Sequence, residues 1–269
     1  MTYTQQLKFL NDWLLSEMPQ YQEQARQFPK DDAQQRRLLR SLMNVRPPMP
    51  LDPEFLAVQD ELLSAEREMK GVVAVSSLPA TKYPGVRLWR GDITRLAADA
   101  IVNAGNSALL GCFVPCHGCI DNAIHSAAGL QLREECRRLM DAQGHEEADG
   151  GAKLTPAFNL PSKYVLHTVG PIVRGSVTER DRQSLASCYE SCLKSAAEHG
   201  LKSIAFCCIS TGEFHFPNQE AAEIAIDSAR KFQSSELSDG NDLTVIFNVF
   251  KETDYDIYYR LLCSDQAAE

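Results

Sequence analysis

Two short apolar runs, YVLHT at 164–168 and IAFCCI at 204–209, decide the fold class of this chain. A helical pattern at 178–199 separates them, so a strand, a helix and a second strand follow one another. The same alternation continues in both directions along the chain. Strands that alternate with helices build an α/β domain around a largely buried sheet. The sequence therefore predicts a layered α/β domain.

Further apolar and periodic segments extend this pattern outward. Besides the two runs above, the predicted strands are 72–75, 86–89, 100–102 and 244–249. Besides the helix between them, the predicted helices are 120–143, 218–233 and 254–263.

The first 70 residues have a different pattern, which is helical throughout. Leu7, Leu10 and Leu14 recur at steps of three or four residues, as expected for the buried side of a helix. Asp52 followed by Pro53 predicts the start of a helix that runs to about residue 69, because the carboxylate can cap the first turn. We therefore expect a helical extension at 1–71, packed on an α/β domain at 72–269.

The composition and charge of the chain limit the kinds of protein that it can be. The chain of 269 residues is 44% hydrophobic and 23% charged, which is typical of globular proteins. Its net charge of -9 disfavours binding to nucleic acid, which requires a basic surface. The amino terminus lacks the features of a secretory signal, and no segment has the length of a membrane span. We expect a cytoplasmic protein with reduced cysteines and with neither nucleic acid nor membrane as a partner.

The loop GCFVPCHGCIDN at 111–122 concentrates metal-binding side chains. It contains Cys112, Cys116, His117 and Cys119, and zinc prefers thiolate and imidazole ligands. A structural zinc site uses four protein ligands, whereas a catalytic site usually uses three. The alternative is a group of small buried thiols beside a surface histidine. The residues alone favour a metal site but leave its structural or catalytic nature open.

Two polar motifs each follow a predicted strand. In GDIT at 91–94, Asp92 could accept a hydrogen bond from an exocyclic amine or cap the next helix. In VNAGNS at 102–107, Asn103 and Asn106 are placed beyond a strand, where their amides could bind hydroxyl groups or form a turn. Each motif alone is weak evidence for a ligand site.

A fourth motif, STGEFHFP at 210–217, lies between the IAFCCI strand and a predicted helix. Its small residues could leave consecutive backbone amides free to bind phosphate near a helix amino terminus, or could form an ordinary loop. Ligand sites in α/β sheets gather at the carboxyl ends of strands. All four motifs are therefore expected to border one cleft.

The order of these motifs, with AFNLPSKYVLHTVGP at 157–171, resembles the macrodomain family. The similarity covers roughly 72–263. Within the family, the GCFVPCHGCIDN loop is similar to that of the zinc-dependent branch, the microbial protein-ADP-ribose hydrolases. LLRSLMNVRPPMP at 38–50 is similar to a segment of the helical extension in that branch. The resemblance implies a three-layer α/β/α macrodomain with a mixed central sheet, preceded by a helical N-terminal extension.

The resemblance also implies a cleft for ADP-ribose. In it, Asp92 would hold the adenine amine, and the backbone of Ile93 would contact the same base. Asn103 and Asn106 would face the distal ribose, while residues near 248–250 would border the adenosine. The full set of implied substrate-binding residues is Asp92, Ile93, Asn103, Asn106, Ile120, Asp121, Ser210, Thr211, Gly212, Glu213 and Phe214.

The implied zinc ligands are Cys112, His117 and Cys119, with one zinc ion per chain. Cys116 would then be a spare thiol or a fourth ligand. These three ligands and Asn106 form the implied catalytic set, while Asp121 could orient a water or cap the next helix.

The implied activity is the zinc-dependent hydrolytic removal of mono-ADP-ribose from modified protein side chains. The expected partners are therefore ADP-ribose and mono-ADP-ribosylated protein. Two alternatives remain open at this stage. One is a module that binds ADP-ribose around a structural zinc, and the other is a deacetylase for O-acetyl-ADP-ribose.

Overall fold

A computed structural model describes residues 1–236 and 242–264, so the carboxyl-terminal end of the predicted domain lies outside the described residues. The helices in these residues are α1 (Tyr3–Glu17), α2 (Gln22–Arg26), α3 (Asp32–Val45), α4 (Pro53–Lys70), α5 (Ile120–Ala128), α6 (Leu130–Gln143), α7 (Glu179–Glu198), α8 (Asn218–Glu236) and α9 (Glu252–Leu262). The strands are β1 (Val73–Ala74), β2 (Val86–Arg90), β3 (Leu96–Ala97), β4 (Ala100–Gly105), β5 (Ala152–Pro156), β6 (Tyr164–Val169), β7 (Ser203–Phe206) and β8 (Thr244–Val249). No helix in the described ranges is long and apolar enough to cross a membrane.

Six strands form the central sheet, in the order β2-β8-β7-β4-β6-β5. All neighbouring pairs are parallel except β5 and β6, so the sheet is mixed. Helices α7, α8 and α9 pack side by side, whereas α5 and α6 form a separate pair, and both groups contact the sheet. The predicted three-layer fold with a mixed central sheet is confirmed. The parallel strands bring their carboxyl ends to one edge, where the motifs begin.

The central strands are buried on both faces, as parallel strands between helical layers require. Ile101 and Val102 in β4, Leu166 in β6 and Ile204 in β7 have no exposed surface. These continuous apolar runs explain why the sequence predicted the sheet so directly. The positions of the loops at its carboxyl edge are therefore set by a rigid core.

The extension builds a second apolar cluster. Leu7, Leu10 and Leu14 of α1 pack with residues of α3 and α4, and Leu130 of α6 joins them. The predicted start of α4 is confirmed, because the Asp52 carboxylate accepts a 2.8 Å hydrogen bond from the Glu54 amide. The division between residues 71 and 72 stays a prediction, although Leu130 shows that the extension packs on the α/β part.

Two predicted boundaries are wrong because backbone geometry overrides the apolar pattern. The predicted helix at 120–143 is two helices, because Gly129 has a φ of 96°. A Cβ atom at Gly129 would lie 2.7 Å from the Gln59 side-chain nitrogen, so α4 approaches closely there. The IAFCCI strand ends at Phe206 instead of 209, and in the following loop Cys207 and Ile209 are buried while Cys208 is half-buried.

The placement of Asn103 beyond a strand is also wrong. β4 continues to Gly105, because its pairing with β6 persists as far as the partners Gly105 and Val169. Asn103 thus projects from within the sheet, and Asn106 lies beyond it. Strands β3 and β5 were not predicted, since each is short and lacks a run of β-branched residues.

Candidate functional site

The loop between β4 and α5, which we call the metal loop, brings three predicted metal ligands together. Donor atoms of Cys112, His117 and Cys119 all lie within 4.8 Å of one another. The Cys112 sulfur is 3.7 Å from Nδ1 of His117. Two thiols and one imidazole match the donor preference of zinc, and three protein ligands are typical of a catalytic site. The residues present therefore fit a zinc ion.

Cys116 lies apart from this group of three. Its sulfur is 3.3 Å from the Ser41 hydroxyl and 3.6 Å from the Arg37 carbonyl, both on α3. Its φ of 51° is rare for a residue with a side chain and turns the thiol toward the extension. The geometry thus separates Cys116 from the other two cysteines of the loop.

The Cys119 thiol lies at the amino terminus of α5 and accepts a 3.4 Å hydrogen bond from the Asn122 amide. Burial raises its pKa, and the neighbouring Cys112 thiol adds to this increase. Two adjacent thiolates are unfavourable in a half-buried loop unless a cation compensates them. A divalent metal would supply that charge, which strengthens the fit of zinc to these residues.

A buried hydrogen-bond network behind the metal loop joins Asn103, Asp121 and His167. Nδ2 of Asn103 donates to an Asp121 carboxylate oxygen at 2.8 Å and lies 3.2 Å from Nδ1 of His167. Burial raises the pKa of Asp121 to about 6. Oδ1 of Asn103 is buried and has no hydrogen-bond partner among the described residues. An unmatched buried amide oxygen costs about 1–3 kcal/mol, so a donor from a ligand would stabilise this site.

His125 is a buried side chain beside this network, since its Nε2 lies 3.5 Å from an Asp121 carboxylate oxygen. Donor atoms of His125, Cys136 and His167 also lie within 4.8 Å of one another. However, Asn103 and Thr155 already occupy both ring nitrogens of His167, at 3.2 and 3.0 Å. We therefore interpret this second group as buried side chains of the core, in which His167 is hydrogen-bonded and the ring nitrogens of His125 have no hydrogen-bond partner among the described residues.

The burial of His167 predicts a loss of stability in acid. Burial lowers its pKa from 6.5 to about 4, so only the unfolded chain binds a proton between these pH values. The free energy of unfolding should therefore fall as the pH falls, by about 2 kcal/mol at pH 5 from this residue alone. Urea unfolding of the wild type and His167→Asn at pH 7 and pH 5 measures this difference.

The wild type should lose more stability than the variant over this range. Asp121 acts in the opposite direction, because its raised pKa lets the folded protein bind a proton as the pH falls through 6. It is present in both proteins and cancels in the comparison. Equal losses in the two proteins would contradict the role of His167.

The loop at 210–217 has the backbone geometry of an anion site. Ser210 has a φ of 62°, and the Phe216 amide donates to the Ser210 carbonyl at 2.9 Å, which closes the loop. Within the described residues, the amides of 211–214 donate to no protein group. Consecutive free amides bind phosphate oxygens, and α8 begins just after this loop. The carboxylate of Glu213 is 3.7 Å from Nε2 of His117, so this loop and the metal loop meet.

The GDIT motif ends β2 at the same edge of the sheet. An Asp92 carboxylate oxygen accepts hydrogen bonds from the Thr94 amide at 3.0 Å and from its hydroxyl at 2.7 Å, which is the capping role. The Ile93 side chain is buried. The side-chain nitrogen of Asn248 donates to the Gly91 carbonyl at 3.0 Å and thereby ties the end of β8 to this turn. One oxygen of Asp92 thus caps the turn, and the other accepts no hydrogen bond from the part of the chain that the structure describes.

Asn106 and Ile120 flank the metal loop without belonging to the network behind it. The exposed Asn106 accepts a 3.1 Å hydrogen bond from the Ala108 amide, so it forms the turn that was one of its two predicted roles. Ile120 is the first residue of α5 and is half-buried. The structure therefore places both beside the loop, and their roles toward a ligand stay predictions.

Sequence reasoning missed Arg133, a buried arginine in α6. It donates to the carbonyls of Leu110, Met43, Asn44 and Arg46 at 2.5–3.0 Å. Its guanidinium also lies 4.3 Å from the centre of the Phe113 ring. Arg133 thus joins the end of α3 to the start of the metal loop. No motif around it in the sequence indicated this role.

Comparison with known proteins identifies the family to which this fold belongs. The Macro domain family model matches residues 102–225. A protein-ADP-ribose hydrolase of Treponema medium is 51% identical over 265 residues, covering 97% of this chain and all of that protein. A protein-ADP-ribose hydrolase of Staphylococcus aureus strain MSSA476 is 47% identical and covers 82% of each chain.

Solved structures show the same similarity in three dimensions. A Trypanosoma brucei macrodomain in complex with ADP-ribose has a TM-score of 0.63 at 32% identity, covering 82% of this chain and 94% of that one. An Oceanobacillus iheyensis macrodomain with ADP has a TM-score of 0.58 at 36% identity, covering 65% and 88%. The chain therefore belongs to the macrodomain family, in the group that includes the microbial protein-ADP-ribose hydrolases.

Proposed function

We propose that this chain is a zinc-dependent hydrolase that removes mono-ADP-ribose from modified protein side chains. The observation that supports this most strongly is the convergence of Cys112, His117 and Cys119 beside the loop at 210–217. A metal held there would lie next to a pyrophosphate held by free backbone amides. The names of the relatives from Treponema medium and Staphylococcus aureus support the hydrolase activity.

Each part of the substrate has a matching protein group. The amides of 211–214 would bind the pyrophosphate without any lysine, so the net charge of -9 is no obstacle. The unpartnered Oδ1 of Asn103 would accept a hydrogen bond from a hydroxyl of the distal ribose. The second oxygen of Asp92 would accept from the adenine amine, with Ile93 beside it.

The bond to be broken joins the anomeric carbon of the distal ribose to a protein side chain. The oxygen of a water molecule bonds to the anomeric carbon in place of the protein side chain, and the released side chain takes up a proton from that water. When bound, zinc can lower the pKa of a coordinated water toward ~7 or orient the ribose hydroxyls and the leaving group as a Lewis acid. Asp121 would keep the Asn103 amide in place, because its carboxylate accepts from Nδ2.

The free state of all nine cysteines also supports the expected cytoplasmic location, where thiols stay reduced.

A direct test combines metal analysis with an assay on a mono-ADP-ribosylated protein of defined linkage. We expect one zinc per chain, release of ADP-ribose from the protein, loss of release after chelation, and recovery when zinc is restored. Full hydrolysis by the metal-free protein would contradict the metal role. Binding of ADP-ribose without turnover on any linkage would instead favour a binding module with a structural zinc. A faster rate on O-acetyl-ADP-ribose than on modified protein would favour the deacetylase.

A further inference from the structure

Helix α3 of the extension contacts the backbone of the metal loop through Arg40. One guanidinium nitrogen donates to the His117 carbonyl at 3.2 Å and to the Asn122 side-chain oxygen at 2.7 Å. A second nitrogen of the same group also donates to that Asn122 oxygen, at 3.2 Å. Arg40 thus fixes the backbone of one proposed ligand from outside the macrodomain core.

Asn44 lies one turn further along the same face of α3, since residues four apart are neighbours on a helix. Its side-chain oxygen accepts a 2.9 Å hydrogen bond from the Cys116 amide. Its side-chain nitrogen donates to the Ser126 hydroxyl at 3.0 Å. Because Asn44 is buried, these bonds are shielded from water. Asn44 therefore ties the turn before His117 to helix α5.

Asn122 completes the connection, because its side-chain nitrogen donates to the Val114 carbonyl at 3.0 Å. The backbone is thereby held at 114, 116 and 117, between the first and the last proposed ligand. In contrast, the side chains of 113–115 are exposed. A loop without its own apolar core depends on such hydrogen bonds for a fixed geometry.

We propose that Arg40 and Asn44 are positioning residues of the metal site, so that the helical extension forms part of that site. The proposal rests on the zinc-dependent function proposed above. Groups that orient metal ligands lower the entropy lost when the ligands close on the ion, and their loss typically weakens metal binding by about 10–100-fold. The position of Cys116 follows from the same contacts, since Asn44 holds its amide while Ser41 contacts its thiol.

The test compares Arg40→Gln with the matched control Arg37→Gln in the full chain. Arg37 is exposed on the same helix, and the control removes the same charge without touching the loop backbone. Zinc affinity is measured by competition with a chromophoric chelator. We expect Arg40→Gln to lower the affinity by about 10–100-fold and Arg37→Gln to leave it unchanged.

Two further measurements distinguish a change in the geometry of the metal ligands from a loss of protein folding. The absorption spectrum of the cobalt-loaded protein reports ligand geometry and should change in Arg40→Gln, while the metal-free protein should melt as the wild type does. Arg40→Lys keeps the charge but loses the planar fork, so its zinc affinity should fall between those of the wild type and Arg40→Gln. It also provides a result if Arg40→Gln folds poorly.

The outcomes distinguish this inference from the proposed function. Wild-type zinc binding with unchanged affinity in both Arg40 variants would overturn the positioning role and leave the hydrolase intact. An equal loss of affinity in Arg37→Gln would also overturn it, because a general charge effect would then explain the result. A wild-type protein that binds no zinc would overturn both proposals.

Discussion

Replacement of Cys119 by serine is expected to abolish stoichiometric zinc binding and to lower the rate of ADP-ribose release by about a thousandfold. A metal that stabilises charge in the transition state contributes several kcal/mol, and about 4 kcal/mol corresponds to this factor. Serine keeps the size of the side chain and can still accept from the Asn122 amide at the start of α5. The loss should therefore arise from the missing thiolate.

Cys116→Ser is the matched control, since it makes the same change in the same loop. The Cys116 thiol contacts Ser41 and Arg37 of α3 and lies outside the group of three donors. This variant should keep one zinc per chain and the wild-type rate. Metal analysis and single-turnover release of ADP-ribose measure both effects. If Cys116→Ser also lost its zinc, Cys116 would be a fourth ligand and the three-ligand assignment would be wrong.

Replacement of Arg133 by methionine is expected to lower the free energy of unfolding by about 4 kcal/mol, because its buried acceptors lose a charged donor. Arg133 donates to four carbonyls, three of them at the end of α3. Burial lowers the pKa of Arg133 to about 10, so the guanidinium remains charged near neutral pH. Methionine fills similar space but donates no hydrogen bonds.

Arg138→Met on the same helix is the control for this stability measurement. Arg138 is exposed and pairs only with Glu135 among the described residues, and such surface pairs contribute little to stability. Urea unfolding of both variants should show a large loss for Arg133→Met and a small one for Arg138→Met. Similar losses in the two variants would show that the carbonyl contacts of Arg133 contribute little.

The fold was largely predictable because its signals are local. The runs at 164–168 and 204–209 are apolar over consecutive positions, and residues 164–168 and 204–206 belong to the central sheet. Asp52 and Pro53 likewise mark the start of α4 within two residues. Boundaries failed where a single backbone conformation decides them, as at Gly129. The edge strand β5 was missed because its pairing with β6, rather than its composition, defines it.

The candidate site was predictable to a smaller extent. The loop at 111–122 offered four candidate ligands within eight positions, so their spacing suggested a common ion, whereas the family resemblance implied which three would bind it. The close approach of the donor atoms of Cys112, His117 and Cys119 supports this set. Arg40, Asn44 and Arg133 act on groups 70–90 residues away along the chain. No local pattern encodes such contacts. Arginine and asparagine lie mostly on solvated surfaces, so their presence in the sequence does not indicate a buried contact.

The separation between α3 and its partners sets an order of assembly during protein synthesis. Asn44 is 82 residues from Ser126, and Arg133 is 90 residues from the Met43 carbonyl that it binds. The extension is synthesised before α5 and α6, so the groups of α3 that contact these two helices, such as Asn44 and the Met43 carbonyl, lack those partners until α5 and α6 have been made. Contacts of such long sequence separation form slowly, because closing the intervening chain costs entropy. The loop between β4 and α5 therefore gains its final shape only after α6 has been made, and a metal that requires this geometry would bind from that stage onward.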